Sequence, residues 1–548
     1  MRRRGKRCAV GAVAVALLAG CTGTTHTSEE RADTGNGGPA ARAPGAGGGA
    51  PGYQKGREGD EGETGDEGER KPTAPADFRS TFALDVDTAS YSYAKRTILG
   101  GSLPASGTVR TEEFVNSFAQ GYPRPEGDGF SVSADGARLG DGWSLMRVGL
   151  ATESESLKGP RRPAALTFVL DVSGSMAEPG RLDLVKHALR TTARKLRARD
   201  SVSLVTFSGE AETVMPMTRM GDGGRARLRD AVARLEPQES TNLGAGMKEG
   251  YAQAAAERRA GATNRVVLLS DALANTGNTR ADEILDDVET HRREHGITLF
   301  GVGVGVGSEY GDALMERLTN KGDGHTAYIS GEKEADELFV DQLPRHVELR
   351  ARDAKAQVAF DPDTVERYRL LGYENRKVAD EDFRDDRVDG GEVGPGHTVT
   401  ALYAVRLKDG ARASGGGDGD GGGGGDADVA EATVRWLDPD SRKAREASRT
   451  VPVSALDRGE IWTDARAEAR GREGEGARVS PRLRLAAVAA YFADHLRRQG
   501  PGAEDTPPLP GAPSTGSLRA HAGRAATATG DRSAAQLATV IDRAMRLD

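Results

Sequence analysis

From Pro163 to about Val347, short apolar runs alternate with stretches of helical periodicity, and this alternation constrains the chain more than any other feature. Leu166 to Leu170, Val202 to Phe207, Val266 to Ser270 and Ile297 to Val304 are too short for buried helices and continuous enough for strands covered on both faces. Between the first two, Leu182, Val185, Leu189 and Leu196 recur at helical spacing on a polar background, which gives one buried helix face. Strands separated by amphipathic helices predict an α/β domain with a doubly wound, mostly parallel sheet.

The flanks follow other periods. Between Phe78 and Ser156 a helix is expected around Glu112, Glu113, Phe114, Val115 and Phe118, with strands at Phe130 to Ser133 and Trp143 to Leu150. After Val347 the period becomes two, through Ala354, Ala356, Val358 and Phe360, then Val399 to Leu407, then Ala432, Val434 and Trp436. This predicts a flanking β-sandwich-like domain, interrupted by the Gly- and Asp-rich stretch Ser414 to Asp428. Leu485, Val488, Ala489, Phe492 and Leu496 then share a helical face, and a short helix is expected near Leu537 to Met545. The expected divisions are 78–156, 163–347, 348–460 and a helical 461–548.

The first 77 residues read differently. Arg2, Arg3, Arg4, Lys6 and Arg7 precede an apolar run, Ala9 to Leu18, that is far short of the ~20 residues a spanning helix needs. Residues 1–20 are therefore expected to be an export signal. Its end, Leu18-Ala19-Gly20-Cys21, resembles the lipobox of bacterial lipoproteins, which implies cleavage before Cys21 and lipidation of that residue. The expected location is the extracytoplasmic face of the cell membrane, held by the lipid. The other cysteine, Cys8, lies in the leader, so the mature chain is expected to have no disulfide. From Thr22 to Asp77 there is no Ile, Leu, Val, Met, Phe or Trp, and residues 21–77 are expected to be a disordered tether. A net charge of -8, with no Lys/Arg block outside the leader, argues against a nucleic-acid partner.

One constellation carries chemistry. Asp171, Ser173 and Ser175 follow the first predicted strand as Asp-x-Ser-x-Ser, Asp271 follows Val266 to Ser270, and Thr241 lies in Ser240-Thr241-Asn242. The carboxyl edge of an open α/β sheet gathers such loops. Five hard oxygen donors without His or Cys suit Mg²⁺, or Mn²⁺ or Ca²⁺. The pattern resembles the metal-ion-dependent adhesion site (MIDAS) of the von Willebrand factor type A domain, a Rossmann-like fold. The resemblance implies that the hydroxyls of Ser173, Ser175 and Thr241 bind the metal while Asp171 and Asp271 act largely through water. It also implies one open coordination position for a protein ligand offering an acidic side chain. The family often has Gly after the second Asp, whereas this chain has Ala272 and then Leu273.

The flanks extend the resemblance. Phe82 to Tyr91, Val109 to Glu113, Leu371 to Arg376 and Gly396 to Tyr403 are similar to a bacterial subfamily with one segment before the von Willebrand domain and an uncharacterised domain after it. By analogy with integrin β chains, the strands before and after the inserted domain are expected to pair into one sandwich.

Other motifs point elsewhere. Asp85-Val86-Asp87 is similar to a phosphatase Asp-x-Asp signature, but Ala89 stands where Thr or Val is required. His291, Glu294 and His295 match His-x-x-Glu-His, yet also fit one face of an ordinary covering helix with Ile284, Leu285 and Val288. Gly301, Gly303, Gly305 and Gly307 fail the dinucleotide fingerprint because position 306 is Val, and are expected to admit close packing instead. The function expected is a non-enzymatic surface lipoprotein that binds a protein through a metal. The alternatives are a metal-dependent hydrolase of the envelope and a structural scaffold with a vestigial site.

Overall fold

Apolar side chains return to the sequence at Phe78, which is buried, and the strand that follows begins the main fold. The computed structural model describes residues 54–55, 76–154, 162–271, 278–305, 312–342, 348–411, 426–463, 479–503 and 506–547. The leader, Cys21, Ala272, Leu273, Gly307 and most of the expected tether and Gly-rich loop lie outside the described residues. Within the stretch expected to be a tether, β1 (Gln54–Lys55) pairs antiparallel with Tyr368 and Arg367. Backbone pairing at a sheet edge needs no apolar side chain, so composition does not reveal it. Next come β2 (Arg79–Ala83), α1 (Ala89–Leu99), α2 (Thr111–Asn116), β3 (Phe130–Gly140) and β4 (Trp143–Thr152).

The middle of the chain forms the α/β domain. In order it contains β5 (Ala164–Asp171), α3 (Leu182–Lys195), β6 (Ser201–Phe207), β7 (Ala211–Arg219), α4 (Gly224–Ala233) and α5 (Leu243–Ala256). These are followed by β8 (Thr263–Ser270), α6 (Asn278–His295), β9 (Thr298–Val304), α7 (Asp312–Lys321), β10 (His325–Ile329) and α8 (Glu332–Asp336). The six-stranded sheet has the order β10-β9-β8-β5-β6-β7 and is parallel except at the β6–β7 edge. Side chains alternate across it. Phe168, Leu170, Val267 and Leu269 pack with Leu184, Val185 and Leu189 of α3. Val169, Val205, Val266 and Leu268 pack with Met247 and Tyr251 of α5 and with Val288 of α6. Each such burial contributes roughly 1.5–3 kcal/mol. Gly301 does admit a close neighbour, since a Cβ there would lie 2.7 Å from the sulfur of Met315.

The remainder builds two antiparallel sheets from β11 (Ala351–Phe360), β12 (Val365–Leu371), β13 (Gly391–Val393), β14 (Thr398–Leu407), β15 (Asp428–Leu437) and β16 (Ala444–Pro452). Strands from before the α/β domain enter both. The first sheet runs β1-β12-β14-β4-β3, and in the second β2 pairs with β11 beside β15 and β16. Their shared core includes Phe82, Met146, Val358, Phe360, Tyr403, Val434 and Trp436. Three helices, α9 (Pro481–Gln499), α10 (Thr515–Thr529) and α11 (Arg532–Ala544), pack with Tyr91, Phe114 and Phe118 against Leu145 and Leu402 on the outer face of the first sheet. No described helix is long and apolar enough to cross a membrane.

The segments that carried the subfamily resemblance meet in a buried junction. Arg376 donates to Asp85 (3.0 Å) and Asp87 (3.4 Å), while Asp87 also accepts the Thr326 amide of β10 (2.8 Å). Glu112 accepts the Tyr373 amide (2.9 Å), Glu113 accepts that of Ser90 (2.8 Å), and Arg110 pairs with Glu316. Burial pushes the Glu112 carboxyl up to about 7, and the nearby Glu374 and Asp85 add to the rise. A carboxyl that holds its proton more tightly when folded stabilises the protein at low pH, and that contribution is lost as pH rises through the folded value. Stability is therefore expected to fall by up to about 3 kcal/mol between about pH 5 and 8, and Glu112→Gln should flatten that slope in urea denaturation. An unchanged slope in the variant would refute this assignment.

Candidate metal site

Neighbouring strands β5 and β8 run parallel with Leu170 opposite Leu269, so Asp171 and Ser270 end side by side. Asp171 is fully buried. One of its oxygens accepts the Ser173 amide (2.9 Å) and the other accepts the Ser270 hydroxyl (2.6 Å). That first bond turns the chain out of the strand, and the single turn Gly174–Ala177 follows. Ser173 Oγ then lies 3.1 Å from Ser175 Oγ. Asp271, next after β8, is also buried. Burial raises the Asp171 pKa, and the Asp271 charge adds to the rise, against the hydrogen bonds from Ser173 and Ser270.

Thr241 sits half-buried on the loop before α5. The loop is tied to the same edge at both ends: the Gln238 amide donates to Val172 O (2.6 Å) and the Asn242 amide to Ser208 O (2.6 Å). Asn242 also caps α5 by accepting the Ala245 amide (3.1 Å). The structure thus joins Asp171, Ser173 and Ser175 through direct hydrogen bonds and places Thr241 on a loop fastened beside them. No hydrogen bond links Thr241 to the other four among the described residues.

Arg181 was not among the expected site residues. It lies at the N-terminal boundary of α3, is only 3% exposed, and donates to Asp271 Oδ2 (2.7 Å) and Ser175 O (3.1 Å). It also pairs with the exposed Glu178 at 2.9 Å. Its Nε has no partner among the described residues. In an arginine-rich chain nothing in the composition singles this residue out. The available signal was its place directly before the helix that follows Asp-x-Ser-x-Ser.

The donor set fits a hard divalent cation. Two adjacent ligands of an octahedron with bonds of ~2.1 Å lie about 3 Å apart, the separation found between the two serine oxygens. The other motifs are placed differently. Asp85 and Asp87 belong to the buried junction, His291 stacks on Tyr251 at 5.1 Å, and Glu294 is exposed.

Metal-free Asp171→Asn should be more stable than the parent at neutral pH, because it removes a buried charge while the Ser270 hydroxyl can reverse from donor to acceptor. A rise of about 2–4 °C in Tm, that of ~1 kcal/mol in a domain of this size, is expected by calorimetry in chelator. A lower Tm would mean that the carboxylate stabilises the fold.

Residues 165–341 match the family model of the von Willebrand factor type A domain, 348–501 that of the C-terminal domain of the uncharacterized protein YfbK, and 66–139 one described as von Willebrand factor. The uncharacterized protein YfbK of Escherichia coli (strain K12) is 33% identical over 346 residues, covering 61% of this chain and 59% of that protein. This chain therefore spans less than two thirds of that relative's length. Human inter-alpha-trypsin inhibitor heavy chain H3 is 28% identical over 186 residues, 32% of this chain and 20% of that one. A solved von Willebrand factor type A protein from Catenulispora acidiphila aligns with a TM-score of 0.44 at 14% identity, covering 73% of this chain and 87% of that one. The chain thus carries a von Willebrand factor type A domain, followed by a domain similar to the C-terminal domain of YfbK.

Proposed function

We propose that the von Willebrand domain binds a divalent cation, Mg²⁺ first and otherwise Mn²⁺ or Ca²⁺, and through it a protein partner that offers an acidic side chain. The observation that carries the reading is the 3.1 Å pair of hydroxyls, Ser173 and Ser175, set against the buried Asp171 at the carboxyl edge of a parallel sheet. Ser173, Ser175 and Thr241 would supply direct oxygen ligands, with Asp171 and Asp271 holding them and the surrounding water. A cation held mainly by neutral oxygens keeps enough positive character to take a partner's carboxylate as a further ligand. The role is binding, with no catalytic residue assigned.

Isothermal titration of Mg²⁺ into the chelator-stripped full chain should give one saturable site, with at least a tenfold loss of affinity in Asp171→Ala and Ser173→Ala, about 1.4 kcal/mol or more. Equal heats from the parent and both variants would sink the reading.

We further propose that the chain is lipid-anchored through Cys21 at the extracytoplasmic face of the cell membrane. The support is the Leu18-Ala19-Gly20-Cys21 sequence after a charged and apolar leader. Labelling cells with a palmitate analogue should mark the parent and leave Cys21→Ala unmarked. A labelled Cys21→Ala variant would contradict the anchor.

A further inference from the structure

The metal site contains a built-in cation. Arg181 is buried, and it spans the site from Asp271 Oδ2 (2.7 Å) to the main-chain carbonyl of Ser175 (3.1 Å), one of the two residues whose hydroxyls face each other. Gly305 lies close to the same side chain. Gly305, at the end of β9, has φ of 141°, and a Cβ there would lie 3.5 Å from Arg181 Nε. The Gly305 carbonyl accepts the Tyr328 hydroxyl (2.7 Å) and its amide donates to Ile329 O (3.2 Å), so this wall is pinned to β10. The guanidinium is therefore held in place. Its other ion-pair partner, Glu178, has a side chain 61% exposed, and water screens that charge.

We infer that Arg181 is a specificity-determining residue that weakens the site for a bare metal and makes metal binding depend on an anionic ligand. This rests on the metal-site reading above. The charges decide it. Asp171 and Asp271 contribute two negative charges to the buried site, and Arg181 returns one. A divalent cation would bring the set to one net positive charge, which a ligand carboxylate neutralises. Without Arg181 the same two carboxylates would neutralise the cation by themselves and leave little attraction for an anion. Asp171, Asp271 and Arg181 are all buried, so these charges are screened less than they would be at the surface. Arg181 thus shifts part of the cation's charge compensation from the protein to the ligand, so that metal and acidic ligand bind cooperatively.

The test is isothermal titration of Mn²⁺ into the chelator-stripped full chain, with and without acetate as the anionic probe, at constant ionic strength. Four proteins are compared: the parent, Arg181→Gln, Arg181→Lys and Glu178→Gln. In the parent, acetate should tighten Mn²⁺ binding. In Arg181→Gln, Mn²⁺ alone should bind at least about tenfold tighter than in the parent, and the acetate effect should shrink or vanish. Arg181→Lys keeps the charge and should behave like the parent, and so should Glu178→Gln because its carboxylate is screened. Near-ultraviolet circular dichroism identifies any variant that has not folded, and the Lys variant keeps the comparison decisive if the Gln variant fails. In that case a Lys variant without the parent's acetate dependence overturns the inference. Unchanged or weaker Mn²⁺ binding in folded Arg181→Gln overturns it while leaving the metal site standing. No Mn²⁺ binding in the parent or in Arg181→Gln overturns the metal-site reading and this inference together.

Discussion

Strands from either side of the inserted α/β domain pair with one another and so close both antiparallel sheets. β4 lies before the α/β domain and β14 after it, yet they pair continuously from Trp143 opposite Arg406 to Ala151 opposite Thr398. β2 and β11 do the same in the second sheet, with Ala83 opposite Lys355. Bringing such distant segments together costs loop-closure entropy that grows only slowly with length, and the apolar core shared by the two sheets offsets it. The consequence is mechanical. The α/β domain is tethered at both of its ends to one sandwich.

The surface between the domain and the sandwich is built from charge. Arg265, almost completely buried near the start of β8, pairs with Glu392 of β13 (2.7 Å), which also meets Arg352 (3.2 Å). Arg292 of α6 joins Asp323 to Asp389, both at 2.8 Å. Removing one partner from the buried Arg265–Glu392 pair is costly, whereas replacing both by apolar groups can be neutral, so the pair is better understood as fixing orientation than as a reserve of stability. Arg265 and Asp271 lie toward opposite ends of β8. At ~3.3 Å per residue, six residues of strand put about 20 Å between this charged surface and the candidate site.

Periodicity made the sheet legible, and tertiary context hid what it missed. Near-continuous apolar runs located β5, β6, β8 and β9 to within a few residues, because strands covered on both faces have few polar positions. β7 was missed: it is an antiparallel edge strand whose residues are mostly half-buried, with only Met215 fully buried and Pro216 in its interior. α1 was missed because its buried face includes the polar Ser90 and Thr97 while the exposed Leu99 lies on its solvent side with Ser92, Lys95 and Arg96, which blurs the apolar period. At the site, Asp171, Ser173 and Ser175 were legible because they are adjacent in sequence. Arg181 was not, because its significance depends on Asp271, ninety positions away, arriving beside it through the β5–β8 pairing.

Asp171 is held by two hydrogen bonds at a strand end where burial works against its charge, and Arg181 pairs with Asp271 and Glu178 rather than with Asp171. Buried acidic and hydroxyl oxygens gathered in this way favour a cation, and the position proposed for it lies between Ser173 and Ser175. Anomalous diffraction from crystals soaked in Mn²⁺ addresses it directly. A single strong anomalous peak is expected about 2.1–2.3 Å from both serine hydroxyl oxygens. Absence of a peak there, with manganese found instead at another acidic cluster such as Asp323, Asp353 and Asp389, would contradict it.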